Sequence, residues 1–272
     1  MINYKYLLTS GLVIFFVIFT LVLSGCVENN DNTNNTTNIT NNHDNINKEP
    51  EISPDSLTDK CVKRAADIQS YEFNEIIKIS TSGTMNLQIK IDMNGKVNLK
   101  AQKFFAASNF TLLNTLLQSE MYKIDDKIYY ATVKDNKKDW KIYKKEDLEE
   151  ENKFMKYAGL FDADADYSKK FTFLKDGTKK EIAGNELIDG QNCSIVKVYV
   201  NTGEVLKEKN LNLTADDNIE NFELKLWISK NGDVMKEYNI MTLKGKNNAV
   251  TTIEKTILYK NYNQEVVINP PI

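Results

Sequence analysis

The sequence predicts an α+β domain that is mainly β: one long, curved antiparallel sheet of about eleven strands with helices on one face. Three observations lead there. Apolar and polar residues alternate with a period of two through much of the chain after Ser70. Turns that contain glycine recur between the alternating runs, the mark of antiparallel neighbours rather than of strand–helix–strand units. A single helical stripe opens the domain.

That stripe consists of Leu57, Cys61, Ala65 and Ile68, at spacings of four, four and three. Ser53 suits the N-cap, Pro54 the first helical position, and Asp55 the positive helix end. Tyr71 to Ser80 then reads as a strand rich in aromatic and β-branched residues. Met85, Leu87, Ile89 and Ile91 alternate with polar residues, as do Val97, Leu99 and Ala101. A three-residue loop at Met93-Asn94-Gly95 would keep the apolar faces together and pair Ile91 with Val97 and Ile89 with Leu99. The same loop at Ile188-Asp189-Gly190 pairs Ile182 with Val196. At Lys230-Asn231-Gly232 it pairs Ile228 with Val234 and Leu224 with Tyr238. Further strands are expected at Glu120–Ile124, Lys127–Val133, Asp139–Tyr143, Phe222–Ser229, Asp233–Leu243, Val250–Tyr259 and Glu265–Ile268. Glu146 to Leu160 reads as a helix with Leu148, Met155 and Ala158 inward.

Ahead of this domain lies a different kind of sequence. Lys5 precedes an apolar run from Leu7 to Leu23, which ends at Leu23-Ser24-Gly25-Cys26. A charged start, an apolar run and small residues before a cut form a secretory signal, here over residues 1–25. The last four residues resemble a lipobox, in which cleavage exposes the Cys26 thiol for lipidation and so anchors the chain to a membrane. The alternative is an uncleaved transmembrane anchor, since the run approaches the spanning minimum of about 17–20 residues. Either way the remainder lies outside the cytoplasm, at the outer face of the cytoplasmic membrane. Residues 26–52 form a tether in which Asn dominates, too polar to offset its ordering entropy by burial. Residues 53–272 then read as one domain, since no shift in composition divides them.

Charge nearly balances, with 35 Lys+Arg against 38 Asp+Glu, so there is no basic excess to hold nucleic acid. The one histidine, His43, lies in the tether, which removes a histidine-based catalytic triad and imidazole metal ligation from the domain. No phosphate-binding glycine motif occurs, and no cofactor is implied. Asp162, Asp164 and Asp166 imitate the start of a calcium loop, but Tyr167 stands where its glycine belongs and Phe173 where its glutamate belongs. No metal site is assigned there. Cys61 and Cys193 either pair in the oxidising exterior or serve as two buried thiols. N-x-S/T triplets at Asn34, Asn35, Asn38, Asn109, Asn192 and Asn212 are glycosylation acceptors or a by-product of Asn-rich composition. Phe104, Phe105, Phe110, Leu113 and Leu116, with Leu112 and Leu117, make an apolar stretch that is either core or the rim of a ligand cavity.

The C-terminal half carries Glu186-Leu187-Ile188-Asp189-Gly190-Gln191-Asn192-Cys193 leading into Val196-Lys197-Val198-Tyr199-Val200, then Leu226-Trp227-Ile228-Ser229-Lys230-Asn231-Gly232. It closes on Tyr259-Lys260-Asn261-Tyr262-Asn263 and Val266-Val267-Ile268-Asn269-Pro270. In wording and order this resembles the LolA/LolB-like superfamily, including its LppX/LprG-type surface lipoproteins, most closely over residues 179–271. The resemblance implies an incomplete β-barrel closed by helices over an apolar cavity. It also implies a non-catalytic role, holding a lipid or acyl chain. A structural or protein-interaction module of the envelope without a ligand is the other reading.

Overall fold

The computed structural model describes residues 53–83, 86–113, 115–135, 137–144, 167, 170–175, 178–199, 218–245 and 249–271. Residues 1–52, with Cys26, His43 and the first three sequons, lie outside the described residues, as do residues 145–166 with the expected second helix and the aspartate run, and Asn212. Helix α1 spans Pro54–Ala66 and opens as expected: Ser53 Oγ accepts from the Ser56 N–H at 3.1 Å, and Leu57, Cys61 and Ala65 are buried. Among the described residues no helix is long and apolar enough to cross a membrane.

Eleven strands follow among the described residues: β1 (Ser70–Ser82), β2 (Leu87–Asn98), β3 (Lys103–Leu112), β4 (Thr115–Ile124), β5 (Lys127–Lys134), β6 (Lys137–Lys144), β7 (Lys179–Ile188), β8 (Gln191–Tyr199), β9 (Asn218–Ser229), β10 (Val234–Lys244) and β11 (Val250–Lys260). A 3-10 turn occupies Thr172–Lys175. All eleven strands form one curved, open, antiparallel sheet in the order β6-β5-β4-β3-β2-β1-β11-β10-β9-β8-β7. The chain thus enters at the middle, steps outward to one edge, crosses to the other edge, and steps back until β11 pairs with β1.

Three expectations of register need correction. No turn forms at Asn94-Gly95; β2 runs straight through, pairing Asn94 with Asn74 and Gly95 with Phe73. The unbroken phase of Ile89, Ile91, Met93 and Val97 is what a single strand gives, and the glycine serves packing instead. A Cβ there would lie 2.5 Å from the Phe73 ring and 2.6 Å from the Phe105 carbonyl oxygen. The turn comes later, where Gln102 takes φ 52° and Asn98 Oδ1 accepts from the Ala101 N–H. At the second hairpin Ile188 pairs directly with Gln191 across a two-residue Asp189-Gly190 turn, both at positive φ. A bulge between Ile182 and Gly184 then restores the expected Ile182–Val196 pair. At the third, Ile228 faces Val234 as expected, but a bulge between Val234 and Lys236 places Leu224 opposite Asn239 and Lys225 opposite Tyr238.

A fourth correction concerns Glu265–Ile268, which forms no strand. This tail lays Val266 and Ile268 against Ile124, Tyr129, Phe105 and Tyr122 on the outer face, held by Asn98 Nδ2 donating to the Val266 carbonyl at 3.0 Å. The main core lies on the opposite, inner face and collects Ile77, Ile91, Phe104, Leu226 and Ile257 with the α1 stripe. Cys61 belongs to that inner core and Cys193 to an outer cluster with Trp227 and Met235. The sheet therefore separates the two thiols, both are free, and the 61–193 bridge is not made.

Candidate functional site

Each inward-facing residue of the central strands falls into a row across the sheet, and the rows differ in chemistry. Nearest α1 and the tail, the inner face is aromatic: Tyr71, Phe73, Tyr259 and Tyr262 pack with Tyr167 and Phe171, which come from the segment before the 3-10 turn. Tyr167 and Tyr262 share a 3.0 Å hydroxyl contact, and the Tyr262 hydroxyl donates to the Val234 carbonyl at 2.6 Å.

Midway along the strands the row turns ionic. Glu75 on β1 and Glu237 on β10 both face Ile257 of β11, one from each side. Lys255, two residues earlier on β11, lies diagonal to both and faces Asn239. Its Nζ is 2.7 Å from Glu75 Oε1. Lys170 reaches in from the covering segment to place Nζ 3.2 Å from Glu237 Oε2, and the Tyr259 hydroxyl donates to that same oxygen at 3.0 Å. Lys170 also contacts the Tyr259 hydroxyl and lies over its ring. Glu75, Lys255 and Glu237 are each at most 5% exposed. Burial raises the Glu237 carboxyl, but Lys170 and Lys255 more than reverse this and hold it below the usual carboxylate range. Burial lowers Lys170, with Glu237 pulling the other way. Two anions and two cations thus neutralise one another in a dry interior, the condition under which buried charge is tolerated.

Beyond the ionic row, away from α1, the inner face is apolar again. Ile79, Ile89, Ile253 and Met241 are buried, while Leu87, Phe110, Leu112, Ile219, Phe222 and Leu243 are only partly covered. This is a half-open apolar wall with a charged floor. It ends at the β3–β4 hairpin, where Leu113, Leu116 and Leu117 are 61%, 56% and 56% exposed. A separate crevice lies under α1 between Cys61, Arg64, Tyr167, Gly232, Asp233 and Tyr262, about 160 Å³ including space open to solvent. The room it offers to a water-sized sphere is about 10 Å³, far below the roughly 300–1,000 Å³ of small-molecule sites. Arg64 and Asp233 close its side at 2.7 Å, and burial pushes the Cys61 thiol up to about 12.

The apolar stretch singled out in the sequence is thereby divided. Phe104 is buried on the inner face and Phe110 half-buried there, Phe105 faces outward under the tail, and Leu113 and Leu116 stand exposed at the hairpin tip. The ionic row was not anticipated, although its signal was present: Glu75, Glu237 and Lys255 each occupy the inward phase of an apolar alternation. Lys170 carried no such signal. Asn109, on β3, accepts from Gln118 Nε2 at 2.9 Å, and Asn192 is exposed beside the β7–β8 turn. Among the described residues no three His, Cys, Asp or Glu side chains gather as a metal site.

A curved antiparallel half-barrel with an apolar inner wall is the class of protein these features define. No protein-family model and no curated protein matches the sequence. Among solved structures the chain is similar in fold to the lipoprotein LppX of Mycobacterium tuberculosis, with 12% identity, a TM-score of 0.42, and cover of 80% of this chain and 100% of that one. It is similar to LprF of Mycobacterium bovis at 14% identity and a TM-score of 0.47, covering 80% and 96%. A LolA superfamily protein from Nitrosomonas europaea matches over 80% and 96% at 9% identity and a TM-score of 0.24. The likeness is one of fold.

Proposed function

We propose that this chain is an exported lipoprotein, anchored through Cys26, whose half-barrel holds a hydrophobic ligand such as a lipid acyl chain without acting on it chemically. One observation carries the reading: the inner face beyond the ionic row is a run of apolar side chains left only partly covered, namely Leu87, Phe110, Leu112, Phe222 and Leu243. Water-exposed apolar area of this kind is stabilised by covering it, at about 25 cal/mol per Å². An acyl chain supplies such cover without polar contacts. The charged row limits its depth, because Lys170 already lies there, over the Tyr259 ring and paired with Glu237. The aromatic third of the face is already filled by Tyr71, Tyr167, Tyr259 and Tyr262.

Native mass spectrometry of a chain beginning at Ser53, purified without detergent and incubated with lipid vesicles, tests this. The expected result is a lipid adduct near one-to-one that is lost in Leu112→Asp, while Leu187→Asp, at the far end of the sheet, keeps it. A clean unliganded mass in all three proteins would sink the carrier reading and favour a scaffold of the envelope.

A further inference from the structure

On β10 the inward residues run Glu237, Asn239, Met241 and Leu243, so an uncharged amide stands between the ionic row and the apolar wall. Asn239 is 5% exposed and lies between Leu224 on β9 and Lys255 on β11. Lys255 carries its ammonium to the other side, to Glu75 on β1. Among the described residues no hydrogen bond reaches the Asn239 side chain. Leu243, where the wall is only partly covered, is about 13 Å further along the strand.

A primary amide buried in an apolar row is unfavourable until something completes its hydrogen bonds. It offers N–H donors and a carbonyl acceptor. A methylene chain meets neither, whereas a hydroxyl both donates and accepts. The neighbouring charges narrow the choice. Glu75 and Glu237 are balanced by Lys255 and Lys170, so a carboxylate or phosphate brought to this depth would find no counter-charge of its own. Glu75 Oε1 points the same way. Its 2.7 Å contact with Lys255 is off the direction of a hydrogen bond, and among the described residues this buried oxygen accepts none. The floor of the wall thus lacks a donor rather than an acceptor.

We infer that the end of the ligand reaching this floor carries an uncharged hydroxyl hydrogen-bonded to the Asn239 amide, which makes the ligand class a long-chain alcohol rather than a fatty acid or a plain hydrocarbon. This rests on the reading of the half-barrel as a carrier of a hydrophobic ligand. The hydrocarbon lies against Met241, Phe222 and Leu243 and supplies affinity, while Asn239 supplies orientation and selectivity.

The test exposes the full chain in phosphatidylcholine vesicles to hexadecanol, hexadecanoic acid or hexadecane, each with a mid-chain diazirine and each at the same mole fraction. After irradiation, mass spectrometry measures the labelled protein and locates the label. The expected result is that hexadecanol labels β9–β11 about tenfold more than either other probe. Asn239→Leu, an apolar side chain of similar size, should bring hexadecanol down to the level of hexadecane. The comparison of probes on the unaltered chain decides even where that variant does not fold. Labelling by hexadecanol no greater than by either other probe, or a hydroxyl preference that survives Asn239→Leu, overturns the role of Asn239 and leaves the carrier standing. No labelling by any probe overturns both.

Discussion

Lys255 illustrates how much one side chain can carry when it is dry. Its ammonium is 2% exposed, diagonal to Glu75 and near Glu237, inside a sheet whose neighbouring rows are isoleucine and methionine. Removing one partner of such a pair leaves a buried charge without compensation and costs about 3–5 kcal/mol, whereas replacing both by apolar groups of similar volume is near neutral. Glu75→Leu is therefore expected to lower the unfolding free energy by about that amount, and Glu75→Leu with Lys255→Met to recover most of it. Urea denaturation of the three proteins measures this; strictly additive losses would show that the two side chains do not act together. Glu237 adds a pH dependence with a definite sign. Its folded carboxyl sits below the unfolded value of about 4.3, so it stabilises above that pH and the contribution is lost as pH falls through the folded value. Glu237→Gln should flatten the acid limb of stability below about pH 5, read as the urea midpoint against pH.

Between single side chains and the whole sheet lie the turns and bulges, and here two glycines separate conformational from steric need. Gly190 at φ 77° has open space where a Cβ would go. Gly232 at φ 92° would place a Cβ 2.8 Å from the Lys60 carbonyl oxygen of α1. Gly190→Ala should cost about 1 kcal/mol and Gly232→Ala more, by about a further 1–3, since α1 must shift. Equal midpoints in thermal unfolding would contradict that contact. These elements also show what a sequence yields. The helix start, the β4–β6 and β9–β11 segments and the Ile182–Val196 and Ile228–Val234 pairs were legible because alternation, capping and turn chemistry are local. The Asn94-Gly95 turn misled because glycine signals a turn and a close approach equally, and only the Phe73 ring across the strand decides. Likewise the inward phase marks Glu75 as unusual, but its partner lies 180 residues away on β11, beyond the reach of any local pattern. Cys61 and Cys193 were left undecided because sequence does not say which side of a sheet each occupies.

Taken whole, the sheet is two meanders joined along β1 and β11, each of which has a bonded neighbour on both sides, while β6 and β7 close the two edges. Lysines at 137, 138, 141 and 144 give β6 a charged edge that resists pairing with another chain. The joint also decides how the molecule responds to a pull. A load applied through the residues before Ser53 passes along α1 and then into β1, which is hydrogen-bonded along nearly its whole length to β2 on one side and to β11 on the other. An edge strand under tension peels away one bond at a time; a middle strand must slide against two ladders together. Anything holding the N-terminus would therefore draw on a strand that two ladders retain, and not on an edge.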